Sequence, residues 1–314
     1  MTTTPQYTDE AFVAVYRKGR DAVSDALVDE TLQFLKDKSS PASWTRFVDV
    51  GCGHAVSSLR FLEKLPQTVT ALCCDVSAAQ VDSAKLTFQP RPDLQSRVQF
   101  AVCAAEELPL EDASVDLITC CVCFHFFDRR RFFEEVARVL KPGGVLALLC
   151  HGFPKMTNHQ WATGQGDRFF GVIREVAQLG TVPLPFSSDT RVLVSQYIES
   201  LSSTLDDPEV ASWFTTYPFV TSGYEGLQLP FADSKSIRDA PHLWSRREGT
   251  LADVWTFLSS FRPMNLALRT EQGRADFEAM KAKATGQLPE GTTEDSPVTN
   301  VTTWYAHFSR KPAL

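Results

Sequence analysis

The first half of the chain alternates short apolar runs with longer amphipathic segments. Runs of four to seven mostly apolar residues predict buried β-strands, and five occur: Phe47–Val50, Thr68–Cys74, Val98–Val102, Val115–Cys121 and Val145–Cys150. Apolar residues recur at helical spacing over the segments Ser57–Leu65, Ala78–Thr87 and Arg130–Leu140. Ser77 is placed to cap the second of these helices, and Lys141-Pro142-Gly143-Gly144 is expected to end the third.

Strands that alternate with helices are joined by right-handed crossovers and form a parallel sheet. The pattern therefore predicts a doubly wound α/β fold with helices on both faces of the sheet. From His151 to about Arg247 the alternation stops, and aromatic residues become frequent. We expect that part to fold as a cap over the open edge of the sheet. We expect four segments: an N-terminal helical segment (1–45), a core (46–150), a cap inserted after strand five (151–250), and C-terminal helices with a closing strand (251–314).

The candidate site lies at the carboxyl ends of the strands, where parallel sheets bind their ligands. After the first strand, Gly51 and Gly53 allow a positive φ and let a ligand lie against bare backbone. Asp75 ends the second strand, where a carboxylate can accept both hydroxyls of a ribose. The alternative is that Asp75 only caps the turn that follows. Val56 replaces the third glycine of a dinucleotide-binding turn, which argues against a nicotinamide-dependent oxidoreductase.

Composition narrows the class of protein without identifying a ligand. The 314 residues are 43% hydrophobic and 22% charged, as in ordinary globular proteins, and the net charge of -7 argues against nucleic acid as a partner. No apolar run approaches the roughly 20 residues of a membrane span. The N-terminus lacks the basic start and apolar stretch of a signal peptide. We expect a cytoplasmic protein, with monomer and homodimer both open.

All eight cysteines lie in the first half of the chain, nearly all of them in apolar, strand-like runs. Adjacent strand residues point to opposite faces, so Cys120, Cys121 and Cys123 cannot all converge on one metal ion. We therefore expect buried, reduced thiols and no metal site.

Several segments, in their order along the chain, resemble the class I S-adenosylmethionine-dependent methyltransferases: VDVGCGHA, CCDVSAAQVDSAK, AAEELPLEDASVDLITC, FHFFD and RVLKPGG. The resemblance is strongest to the methyltransferase type 11 branch that includes trans-aconitate methyltransferases. It covers about Tyr16–Cys150, with weaker echoes in GTLADVWTFLSSF and NVTTWYAHFSRK. It implies a Rossmann-like, mostly parallel sheet of seven strands, S-adenosyl-L-methionine as cofactor, and transfer of a methyl group to a small molecule.

The resemblance also implies where the cofactor binds. Its contacts would come from the segment before the first strand, from the glycine turn, and from the ends of strands two, three and four: Tyr16 and Arg20; Asp49, Gly51 and Gly53; Asp75 and Val76; Ala105 and Glu106; Cys121. Arg20 would lie near the cofactor's carboxylate, and a solvated helix residue is the equal alternative. Two positions depart from the family. Ala104 stands where an acidic residue often binds the adenine amino group, and Phe126 replaces the tryptophan of the HWFD-like segment.

The methyl acceptor is less well defined. Methyl transfer from a sulfonium needs in-line alignment of nucleophile, methyl carbon and sulfur, and a general base only when the acceptor arrives protonated. His125, just past strand four, is the candidate base or substrate contact, and a packing histidine is the alternative. The candidate substrate residues of the cap are Trp161, Tyr217 and Trp244. We expect an oxygen acceptor, a carboxylate or hydroxyl, with nitrogen as the alternative; a protein that kept the fold and lost cofactor binding is also open.

Overall fold

The computed structural model describes residues 10–20, 22–152, 155–157, 223–238, 240–260, 268 and 271–313. Its helices are α1 Glu10–Gly19, α2 Asp25–Lys36, α3 Val56–Lys64, α4 Ala78–Phe88, α5 Pro92–Gln95, α6 Arg129–Val139, α7 Leu251–Ser259 and α8 Glu271–Thr285. Its strands are β1 Arg46–Val50, β2 Thr70–Asp75, β3 Val98–Val102, β4 Val115–Cys121, β5 Leu140–His151, β6 Lys155–Thr157, β7 Asp233–Ile237, β8 Ser245–Thr250, β9 Pro297–Thr302 and β10 Trp304–Arg310.

The main sheet has seven strands in the order β3-β2-β1-β4-β5-β10-β7. The first five strands of the chain run parallel, while β10 is antiparallel to both β5 and β7. The predicted Rossmann-like, mostly parallel sheet is therefore confirmed. Strand order reverses at β1, which has β2 on one side and β4 on the other. This reversal opens a crevice at the carboxyl ends of β1 and β4, the position at which such sheets bind ligands.

Apolar cores cover both faces of this sheet. Phe47 and Val48 are neighbours on β1 but belong to different core clusters, because successive strand residues point to opposite faces. Phe61 of α3 packs on one face, and Phe132 of α6 packs on the other. In β4 every residue except the last is buried, which explains the near-continuous apolar run that predicts this strand.

The fifth strand begins earlier than predicted. Helix α6 ends at Val139, and Leu140 already pairs with Val115 of β4. Register then shifts, so that Leu117 pairs with Val145 and the Lys141-Pro142-Gly143-Gly144 segment forms a bulge inside β5. The helix does end directly before this segment, as predicted, but the prediction that strand five begins only at Val145 was wrong. Backbone hydrogen bonds of 2.9 Å from Gly143 N to Lys311 O and from Lys311 N to Gly144 O keep the bulge in the sheet.

The predicted cap range contributes to two sheets. Strand β7 lies at the edge of the main sheet, so part of the 151–250 range belongs to the core. Strands β6 and β8 pair antiparallel with β9 in a second, three-stranded sheet. Helix α1 packs against α4 and α7, which places the N-terminal segment beside the carboxyl edge of the main sheet. No helix within the described residues combines the length and apolar character needed to cross a membrane.

Candidate functional site

The turn after β1 has the backbone conformation that its glycines predict. Gly51 and Gly53 have φ values of 66° and 54°, in the left-handed region. A Cβ on Gly51 would lie 2.9 Å from both Cβ and Sγ of Cys123, whereas a Cβ on Gly53 would meet nothing nearer than Tyr16 Cε1 at 3.8 Å. Gly51 is therefore required for packing against the loop after β4. Gly53 has no such clash, and Tyr16 and Gln80 lie at ordinary contact distance from that position.

Asp49 lies beneath this turn and is 1% exposed. Its carboxylate accepts hydrogen bonds from the hydroxyl groups of Ser58 and Thr119, the latter at 2.7 Å. Burial raises the pKa of Asp49 to about 6, the two hydroxyl groups oppose that rise, and the charge of Asp75 adds to it. The side chain ties β1 to α3 and β4, which suits orientation of the turn. A direct contact with a cofactor stays a prediction.

Asp75 links the glycine turn to the start of α4. Its Oδ2 accepts a hydrogen bond of 3.0 Å from Gly53 N, and its Oδ1 accepts one of 2.9 Å from Ser77 N. The turn-capping interpretation therefore describes a real interaction. Each carboxylate oxygen has a second lone pair, so the same group can still accept hydroxyl hydrogens of a ribose. Burial raises the pKa of Asp75, and hydrogen bonds from backbone N–H groups lower it.

The ends of β3 and β4 form the neighbouring part of the edge. Ala105 is buried in the core, and Glu106 Oε1 accepts a hydrogen bond of 2.8 Å from Asp128 N, which connects the two loops. Val76 and Cys121 are partly buried at the strand ends. Burial raises the pKa of the Cys121 thiol well above its ordinary value, so the group is an uncharged thiol. These positions share one edge with Asp75, and their adenine and amino-acid contacts stay predictions.

Tyr16 and Arg20, at the end of α1, lie across from the glycine turn, with Tyr16 Cε1 3.8 Å from the position of a Cβ on Gly53. The Tyr16 ring stands edge-on to His54, with centroids 5.8 Å apart. The Arg20 guanidinium lies 5.1 Å from the centroid of the Tyr16 ring and 5.3 Å from that of Phe257. Arg20 is partly buried between these rings, so a merely solvated residue does not describe it. A role in binding a cofactor carboxylate stays a prediction.

His125 faces a residue that sequence reasoning did not connect to it. Its Nδ1 lies 3.1 Å from the hydroxyl oxygen of Tyr224, which is fully buried. Burial lowers the pKa of His125 to about 3, and electrostatic interactions with the neighbouring His151 and Arg20 act in the same direction. His151, the last residue of β5, also has its pKa lowered by burial, to about 4. Two neutral imidazoles and a tyrosine hydroxyl therefore lie near the ends of β4 and β5, and a substrate contact of His125 stays a prediction.

The cap residues predicted to bind substrate are only partly described. Trp161 and Tyr217 lie outside the described residues. Trp244 lies directly before β8, where its neighbour Ser245 accepts a hydrogen bond of 3.1 Å from Trp304 Nε1. The Trp304 ring stands edge-on to His151 at 5.3 Å. Trp304 thus links the start of β8 to His151, and a substrate contact of Trp244 stays a prediction.

All eight cysteines fall within the described residues and are free thiols. Five of them are buried: Cys73, Cys74, Cys120, Cys123 and Cys150. Within the described part of the chain, no group of three or more His, Cys, Asp or Glu residues is arranged to hold a metal ion. The thiols act as small apolar groups that pack around the glycine turn and the strand ends.

The sequence of this core matches a known family. A family model described as a methyltransferase domain matches residues 48–148, from β1 to β5. Residues 48–148 are similar to this family, and this segment is called the methyltransferase domain below. The finding confirms the resemblance to class I methyltransferases, and the narrower resemblance to trans-aconitate methyltransferases stays a prediction. All the strand ends that form the candidate edge, except that of β5, lie inside the methyltransferase domain.

The sequence matches to curated relatives span only part of each relative's chain. The chain is 33% identical over 117 residues to an uncharacterized methyltransferase of Schizosaccharomyces pombe, covering 37% of this chain and 43% of that one. It is 36% identical over 104 residues to the 27-O-demethylrifamycin SV methyltransferase of Amycolatopsis mediterranei, covering 33% of this chain and 37% of that one. The match thus spans less than half the length of these curated relatives.

A solved structure shows a similar fold over nearly the whole chain. A chain from Anaeromyxobacter dehalogenans, assigned as a type II methyltransferase, superposes with a TM-score of 0.58 and 21% identity. The superposition covers 94% of this chain and 99% of that one. At this identity the similarity shows the fold alone. The methyltransferase domain and its flanking elements therefore share one known architecture.

Proposed function

We propose that this protein is an S-adenosylmethionine-dependent methyltransferase that acts on an oxygen atom of a small molecule. The observation that carries the proposal is the glycine turn of the methyltransferase domain, held by Asp75 at the reversal in strand order. Gly53 leaves backbone open beside a carboxylate, and a nucleoside with an attached amino acid matches these two features. S-adenosylmethionine, when bound, supplies the electrophilic methyl group.

The described residues fit this cofactor. Asp75 would bind the ribose, Val76 and Ala105 would border the adenine, and Arg20 would pair with the amino-acid carboxylate. The bare backbone at Gly53 would face the part of the cofactor that approaches the chain most closely. The chain's own contribution to catalysis is then to align the methyl group with the acceptor and exclude water, and placement alone can supply several kcal/mol.

The pair formed by His125 and Tyr224 supports an oxygen acceptor. With Nδ1 engaged by the Tyr224 hydroxyl at 3.1 Å, Nε2 is the ring nitrogen that would meet a substrate. A neutral imidazole offers either an N–H donor or a lone pair at Nε2, depending on its tautomer. The donor suits a carboxylate oxygen, and the lone pair suits a hydroxyl hydrogen. His125 would thus hold the acceptor oxygen in line and, for a hydroxyl acceptor, receive its hydrogen bond.

A labelled methyl donor tests the reaction and the acceptor atom together. The full chain is incubated with S-adenosylmethionine carrying an isotopic methyl group and with a fractionated metabolite extract, and labelled products are identified by mass spectrometry. We expect a methyl ester or methyl ether, and mild base separates the two because only the ester hydrolyses. Excess S-adenosylhomocysteine is the control and should suppress the signal. A methylated nitrogen would overturn the oxygen assignment; no labelled product from any fraction would contradict catalysis.

A further inference from the structure

Gln80 is a buried amide side chain in the first turn of α4. Its side chain is 2% exposed, and its backbone N–H donates a hydrogen bond of 3.2 Å to Oγ of Ser77, the N-cap residue. A glutamine at this helix position commonly reaches back to the backbone N–H of the N-cap residue. Here that N–H donates to Asp75 Oδ1 at 2.9 Å instead. Asp75 therefore occupies the donor that would ordinarily engage the Gln80 side chain.

The displaced amide oxygen has no hydrogen-bond donor. Gln80 Oε1 is buried, and no group among the described residues donates to it. Buried acceptors are nearly always paired in folded proteins, because an unpaired one loses its hydration without replacement. An orphaned acceptor is therefore expected to have a partner that binds at this place.

The orphaned oxygen lies beside the glycine turn. A Cβ on Gly53 would lie 3.9 Å from Gln80 Oε1 and 3.8 Å from Tyr16 Cε1, so α4 and α1 face each other across Gly53. Asp75 is also there, since its Oδ2 accepts from Gly53 N at 3.0 Å. A ligand group bound by Asp75 would thus come within reach of Gln80.

We propose that the Gln80 amide oxygen accepts a hydrogen bond from a ribose hydroxyl of the bound cofactor, next to Asp75, and so contributes to its selection. The inference rests on the proposed function. Asp75 is a charged acceptor that hydrogen-bonds the turn and the ribose. Gln80 is a neutral acceptor whose hydrogen-bond donor is supplied by the bound ligand. Gln80 is left as a free acceptor because Asp75 already accepts the hydrogen bond from the N–H of Ser77.

The substitution Gln80→Met separates a ligand contact from a structural role. Methionine has similar length and helix propensity but no amide. Because the orphaned acceptor disappears, the ligand-free variant should melt about 2–4 °C higher than the natural chain. Its affinity for S-adenosylhomocysteine should fall about threefold to tenfold, the range for one neutral hydrogen bond. Gln89→Met, the same change at the exposed end of α4, is the control and should alter neither quantity.

Calorimetry with two ligands locates the contact. 5′-Methylthioadenosine has the ribose and adenine of S-adenosylhomocysteine without its amino acid. We expect Gln80→Met to weaken both ligands by a similar factor. Weaker binding of S-adenosylhomocysteine alone would overturn the ribose assignment. Unchanged affinity for both ligands would overturn the role of Gln80 and leave the proposed function intact. If the natural chain binds neither ligand, the proposed function fails and this inference fails with it.

Discussion

Replacing Asp75 by alanine should weaken cofactor binding much more than it weakens the fold. The carboxylate spans two backbone donors, Gly53 N at 3.0 Å and Ser77 N at 2.9 Å, and is the expected ribose acceptor. Hydrogen bonds to a charged group contribute about 1.5–3 kcal/mol, which corresponds to a loss in affinity of roughly 10-fold to 150-fold. Burial raises the pKa of Asp75, so desolvation offsets much of what these bonds contribute to stability without ligand.

Isothermal calorimetry with S-adenosylhomocysteine measures this loss, and thermal unfolding without ligand measures the effect on the fold. Asp82→Ala is the control, since Asp82 lies on α4, the helix that follows Asp75, and makes an exposed ion pair of 2.7 Å with Lys85. Such a pair contributes about 0–1 kcal/mol to stability and should not affect binding. If Asp75→Ala binds the ligand as tightly as the natural chain does, the ribose assignment is wrong.

The remaining predictions concern the turn, the buried acid beneath it and the substrate side. Gly51→Ala should lower the free energy of unfolding by about 2–4 kcal/mol, because it combines backbone strain with overpacking. The control is Gly143→Ala, which should cost only about 1 kcal/mol, because Gly143 has a φ of 81° but no atom within 4 Å of a new Cβ. Equal losses of unfolding free energy in urea titrations would contradict the packing argument. Burial raises the pKa of Asp49 from 3.8 to about 6, so its stabilising contribution is complete below pH 3.8 and declines by about 3 kcal/mol as pH rises through 6. Asp49→Asn should flatten that part of the profile of unfolding free energy against pH, and an unchanged slope would refute the shift. Tyr224→Phe removes the 3.1 Å partner of His125 and should lower kcat about threefold to tenfold with the Kd for S-adenosylhomocysteine unchanged; the reverse result would place Tyr224 on the cofactor side.

The core sheet was predictable because its strands are buried on both faces. Such strands leave nearly continuous apolar runs, and β4, with the sequence VDLITCC, is buried at every residue except the last. Strand β7, with the sequence DSKSI, has no apolar pattern because it lies at the sheet edge and is held by backbone pairing to β10. The bulge in β5 was also missed, because proline and glycines end helices more often than they interrupt strands.

Parts of the site followed from position along the chain, and parts did not. Gly53 and Asp75 follow strands one and two, so the rule that ligands bind at strand ends identifies them. The same rule applied to β5 would have identified His151. Tyr224 could not be found this way, since 99 residues separate it from His125. The proposed role of Gln80 could not be predicted from sequence for another reason. It depends on which side chain accepts the hydrogen bond from the Ser77 N–H, and only the folded structure shows that this is Asp75.

Calorimetric titration of the unsubstituted 314-residue chain with S-adenosylhomocysteine tests the central claim most directly, with NADH titrated in parallel. The open backbone at Gly53 and the carboxylate of Asp75 predict saturable binding of S-adenosylhomocysteine at one site per chain, and no binding of NADH, because Val56 replaces the third glycine of a dinucleotide turn. Binding of NADH, or no heat with S-adenosylhomocysteine at millimolar concentration, would contradict the account.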